Sequence, residues 1–209
     1  MSERKIRKFS SKSEDFNSGE QHHPLKTYLF YGITMSSIVF ASLLFLFFLW
    51  IENKPEASEV HLSKAFIISP YILLFSFFSS TYIIRSYHQE NNKQLLSALS
   101  ISLVAGIVFS VLQVYACLSI FEDFAFSDFN PGYVVVFVAS GLHLLFVGFG
   151  LIYLFYLTLK SFDNWNDPIK ALVYFSNTYE VKRLELVSAY WYFTCIVWSL
   201  VFFAILAIS

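Results

Sequence analysis

Few side chains in this sequence can do chemistry. One histidine, His143, and one glutamine, Gln113, stand inside long apolar runs. The two cysteines are Cys117 and Cys195. His22 and His23 are adjacent in a polar N-terminal segment, but nothing nearby completes a metal site, so they read as solvated. No glycine-rich phosphate loop, carboxylate pair, Cys/His zinc spacing or nucleophile elbow occurs. Haem inside a helix bundle usually draws histidines from facing helices, and only one is available here. The chemistry these residues suggest is structural, with polar groups satisfying one another in apolar surroundings.

The elements that must position them are membrane helices. Five stretches, about 27–51, 65–84, 95–121, 133–159 and 186–209, contain none of the 14 Lys and Arg or 15 Asp and Glu residues. A bilayer core about 30 Å thick needs ~20 apolar residues of helix. A charge at its centre costs about 2.5–3.5 kcal/mol on insertion scales. So complete a sorting predicts an all-α integral membrane bundle of five transmembrane helices spanning 27–209, preceded by a disordered cytoplasmic tail over 1–26. The composition, 56% hydrophobic with mean hydropathy +0.58, excludes a disordered chain and an ordinary soluble domain. No basic run interleaved with aromatics suggests nucleic acid.

With the N-terminus inside, 12 Lys and Arg fall on inner segments, and only Lys54 and Lys64 fall outside. By the positive-inside rule the N-terminus is cytoplasmic and the C-terminus outside. The first apolar run ends at Trp50 and is too long for a secretory leader, so it is read as an uncleaved span. The cysteines stand at different depths and are read as packing residues, not a disulfide.

Helix 3 carries small residues every fourth position: Ala98, Ser102, Gly106 and Ser110. Such a stripe lets helix backbones approach closely. Counting about 1.5 Å per residue, Gln113 and His143 lie at similar depths, ~12 and ~15 Å from the outer side. Helices 3 and 4 are joined by a short loop, so these two side chains are expected to hydrogen-bond. Between helices 4 and 5, Ile169, Leu172, Val173 and Phe175 predict a short interfacial helix.

From Ser140-Gly141-Leu142-His143-Leu144-Leu145-Phe146-Val147 onward the chain resembles the heme-copper oxidase subunit III family. That family has a small-Gly-x-His-Gly-x-His-Val helix and, later, Glu followed by Tyr-Trp-His-Phe-Val-Asp-x-x-Trp. The second motif corresponds here to Glu185 and to Tyr190-Trp191-Tyr192-Phe193-Thr194-Cys195-Ile196-Val197-Trp198. Phe109 with Gln113, and the Ser79-Ser80-Thr81 stretch, add two weaker matches. Several ionisable positions of the pattern are neutral here: Phe146, Tyr192 and Cys195 replace two histidines and an aspartate, Ser37 stands for an acid in helix 1, and Ala116 for an acid in helix 3.

The resemblance implies a non-catalytic subunit of a proton-pumping respiratory oxidase in the bacterial cytoplasmic (inner) membrane. No cofactor is then expected in this chain, with haem and copper in partner subunits. The implied partners are the catalytic oxidase subunit I, other oxidase subunits, phospholipid and a larger respiratory supercomplex. Gln113, His143, Glu185, Tyr190, Trp191, Trp198, Ala98, Ser102, Gly106 and Ser110 are candidates for lipid or subunit contacts. The alternatives are an accessory paralogue in such a supercomplex, and a small membrane transporter or assembly factor.

Overall fold

The computed structural model describes residues 24–53, 63–126, 131–165 and 167–206. These fold as helices only: α1 (Pro24–Asn53), α2 (Lys64–His88), α3 (Asn92–Phe126), α4 (Pro131–Asp163), α5 (Pro168–Ser176) and α6 (Thr178–Leu206). All but α5 are long and apolar enough to cross a membrane. This is a multi-pass membrane protein. Residues 1–23 of the expected tail, and most of the loop after α1, lie outside the described residues.

Two compact units divide the chain within α1, Met1–Ser36 and Ser37–Ser209. The described part of the first is plain helix, with the Thr34 hydroxyl donating to Phe30 O at 2.9 Å. In the second, α1 from Ser37 onward joins α2–α6.

The helices run past their apolar segments. Helix 1 begins at Pro24, inside the expected tail, where proline suits a first turn. The larger correction is α6, expected from 186 but starting at Thr178. Its first two turns carry Glu180, Lys182 and Arg183. Helix is affordable there because the Glu180 carboxylate, almost fully buried, meets Lys160 Nζ at 2.7 Å and Arg183 Nη1 at 3.4 Å. An acid in the first turn also suits the positive end of the helix dipole.

Helices α2 and α3 are joined by a tight turn in which Glu90 adopts a left-handed conformation, φ 52°. The N–H of Asn91 donates to Ser86 O at 3.0 Å, closing the end of α2, while Asn91 Oδ1 accepts from Gln94 N and starts α3. The turn makes the two helices close neighbours. The short α5 spans Pro168–Ser176, with Asp167 capping its N-terminus and Pro168 in its first turn. Its end is tied to α2: the Tyr87 phenol donates, shared, to Tyr174 O at 2.6 Å and Asn177 O at 3.0 Å. Burial and the nearby Glu180 carboxylate hold the Tyr174 phenol well above the ordinary tyrosine range.

The outer surface is apolar, which suits hydrocarbon. On α3, Val104, Val108, Val111, Tyr115 and Leu118 form an exposed stripe at helical spacing. The buried face of α6 repeats at Leu184, Val187, Trp191, Cys195, Trp198 and Phe202.

Candidate functional site

The interior has two polar-aromatic layers. The first centres on Trp191. Its indole lies against Gly106 of α3 and Gly150 of α4. A Cβ built at Gly106 would stand 2.7 Å from Trp191 Cη2, and one at Gly150 2.9 Å from Trp191 Cζ3. Glycine is required at both positions because the ring occupies the space where a side chain would begin. The indole N–H donates to Ser76 Oγ on α2 at 2.7 Å, and Ser76 donates to Ser102 O on α3 at 3.3 Å. One side chain of α6 thus joins α2, α3 and α4. Nearby, Cys195 Sγ donates to Leu73 O at 3.6 Å, and Tyr190 OH to Phe146 O at 2.7 Å.

The second layer centres on His143, which is buried. Its ring stacks on Trp198, with centroids 4.5 Å apart and planes at 20°. Phe109 meets it edge-on at 5.5 Å, and Phe40 of α1 at 6.3 Å. His143 Nε2 lies 3.1 Å from Thr194 O. A carbonyl only accepts, so Nε2 carries the proton and Nδ1 does not in the neutral ring. Nδ1 has no partner, nor does Trp198 Nε1.

Gln113 is one turn beyond Phe109 on α3. Its Oε1 is placed 2.9 Å from Ser69 Oγ on α2, which is also 3.1 Å from Phe66 O. Pro70 lacks the N–H that would otherwise bond Phe66 O, so the hydroxyl fills that vacancy. Ser69 has a single proton, so serving both acceptors would split one bond between them. Turning the amide so that Nε2 donates to Ser69 satisfies the pair. Either way one end of the Gln113 amide is left without a partner.

The expected Gln113–His143 bond is therefore not made. Each group bonds a helix that is not its expected partner, α2 for Gln113 and α6 for His143. Sequence adjacency of α3 and α4 did not reveal that these acceptors stand closer.

The candidate contact residues also sort differently by burial. Gln113, His143, Trp191, Trp198, Ala98, Ser102 and Gly106 are buried within the chain. They join its own helices, the within-chain form of the contact that their types and spacing suggest. Ser110 and Tyr190 are half-buried, and Glu185 is exposed. The small-residue stripe is shared out: Ala98 O accepts from Ser79 and Ser102 O from Ser76, both on α2, whereas Gly106 faces Trp191 and Leu151. Among the described residues the buried carboxylate is Glu180, which no sequence motif singles out. The signal was present in Lys160, which ends one apolar run, and Glu180, which precedes the next.

No metal site is built by these groups. Among the described residues no three His, Cys, Asp or Glu side chains converge. Both cysteines are free.

Comparison with known proteins points to a family. The chain is 31% identical over 139 residues to cytochrome c oxidase subunit 3 of Osphranter robustus, a match covering 66% of this chain and 48% of that protein. It is 28% identical over 140 residues to cytochrome c oxidase subunit 3 of Spodoptera frugiperda, covering 66% of this chain and 86% of that one. It is 26% identical over 151 residues to the probable quinol oxidase subunit 3 of Staphylococcus aureus (strain USA300), covering 68% and 66%. These matches support the heme-copper oxidase subunit III family as the one this chain is similar to. No family model matches it. The neutral replacements in the motifs are packing groups. The Phe146 ring lies 5.9 Å from that of Phe40, Tyr192 lies 4.9 Å from Phe77, and Cys195 bonds Leu73 O. His143 keeps its place in the motif and serves as a link between α4 and α6.

Proposed function

We propose that this chain is a non-catalytic, subunit III-like component of a respiratory heme-copper terminal oxidase in a bacterial inner membrane. It packs on the catalytic subunit, stabilises it and holds phospholipid. Haem and copper reside in the partner subunits, and the N-terminus is cytoplasmic. The observation that carries this reading is the match of two thirds of the chain to proteins named as oxidase subunit 3, two of cytochrome c oxidases and one of a probable quinol oxidase. The apolar outer face of α3 supports it, since such a surface suits lipid tails or another subunit's helices. Exposed Glu185, with half-buried Tyr190 and Ser110, is the remaining candidate contact set from the motifs.

The test is gentle detergent purification through a tag on the N-terminal segment. A haem-containing oxidase recovered in fixed ratio is the expected result. A haem-free monomer that moves solute in liposomes would sink the reading and favour a transporter.

A further inference from the structure

The two interior layers are separated by the same step on every helix. Seven residues on from Ser76, Gly106, Gly150 and Trp191, toward the end where α3 gives way to α4, stand Ser69, Gln113, His143 and Trp198. The His143 layer is thus the Trp191 layer repeated two turns, about 10.5 Å, further along the bundle. A tryptophan of α6 and a serine of α2 again share one level, but Gln113 and His143 replace the two glycines. The bond is not repeated. Ser69 Oγ stands 2.9 Å from Gln113 Oε1 and 3.1 Å from Phe66 O, and the Trp198 indole N–H keeps no partner in the chain. Another seven residues on, Ile120, Val136 and Ile205 are buried and close the level with an aliphatic layer. On its other side lies the Trp191 ring, and Phe109 meets His143 and Trp198 edge-on at 5.5 and 6.1 Å.

Three unpaired atoms remain at this level: Trp198 Nε1, His143 Nδ1 and one end of the Gln113 amide, all on fully buried side chains. Their chemistry selects an occupant. The indole N–H only donates, and Nδ1, with the proton on Nε2, only accepts. A cation would be opposed by the first and an anion by the second. A neutral molecule that both donates and accepts suits each of them, and between closed layers the smallest such molecule is water. We propose that one internal water is held here. It accepts from the Trp198 N–H, donates to His143 Nδ1, and closes on Gln113 by donating to Oε1 or accepting from Nε2, according to how the amide is turned. Either way it makes about three bonds, the usual number for buried water. It offsets the desolvation that these atoms suffer in the chain alone and ties α3, α4 and α6 at one point. Nothing in this depends on membership of an oxidase, so a chain that purifies alone can still be tested.

The full chain, carrying isotope-labelled tryptophan, is placed in lipid nanodiscs, and magnetisation passed from water to the indole protons is read by NMR. Substitution to phenylalanine assigns the four indoles. Trp191, bonded to Ser76 in its glycine cradle, is the internal standard. A water signal is expected at Trp198 and none at Trp191. His143→Phe should weaken it and move the Trp198 N–H resonance toward that of an unbonded indole. The double variant His143→Phe/Gln113→Leu should lose it. An unmoved Trp191 resonance in these variants separates lost water from lost fold. Ser69→Ala should leave the signal in place. A signal lost with Ser69→Ala would assign the contact to the serine hydroxyl and overturn the proposal. So would a Trp198 indole already at the unbonded position in the unsubstituted chain, or equal water signals at Trp191 and Trp198.

Discussion

The Trp191 and His143 layers lie on the same face of α6, seven residues apart at Trp191 and Trp198, yet they are built on opposite principles. Around Trp191 a large ring fills space vacated by two glycines, and its one polar atom is satisfied by Ser76. Around His143, rings stack closely, but Nδ1, the Trp198 indole N–H and one end of the Gln113 amide have no partner. The first layer gains from close packing, which drives helix association in lipid. The second bears most of the cost of unpaired polar groups in apolar surroundings, the first leaving only the Ser102 hydroxyl unpaired among the groups named here. Aromatic side chains recur in both layers, so what separates them is whether the neighbours were shaped around the ring.

Five substitutions probe that contrast, read as thermal or denaturant unfolding in detergent. Trp191→Ala should have the largest effect, a loss of about 3–5 kcal/mol, because it opens a cavity between α3 and α4. Gly106→Ala should cost about 1–3 kcal/mol by overpacking, since the new Cβ meets both Leu151 and Trp191. His143→Phe should cost less than about 1.5 kcal/mol. It breaks the Thr194 link, worth ~0.6 kcal/mol on average in a membrane bundle, and removes an unpaired nitrogen. Gln113→Leu should fall within about 1 kcal/mol of zero and on the stabilising side if the free amide end dominates. A larger loss for His143→Phe than for Gly106→Ala would reverse the contrast and make the histidine layer the structural centre. Trp191→Phe sharpens it. A six-membered ring survives while the pyrrole part and its donor go, and a loss of about 1–3 kcal/mol is expected from the missing bond together with the space left behind.

The spans were legible in the sequence because hydrocarbon expels charge so strongly that 29 charged residues sort themselves out of five runs. The start of α6 was not legible for the same reason. Glu180 and Arg183 look like loop residues until the structure brings Lys160 beside them. The close-contact role of Ala98, Ser102 and Gly106 could be read from their spacing. That α2 sits on the first two and the Trp191 ring on the third could not, since a stripe says how near a neighbour comes but not which one. Gln113 and His143 were rightly marked as groups in need of partners, but the partners are Ser69 and a backbone carbonyl. Residues so common along a membrane helix leave no sequence signature.

Trp191 also sets an order on biogenesis. Ribosomes release α2, α3 and α4 before α6, so while the chain is being made those three helices must enter the membrane with an indole-shaped slot between Gly106 and Gly150 still empty. Their final docking waits for the helix that arrives after them, and a nascent chain halted short of residue 191 should be open to proteases that spare the finished protein.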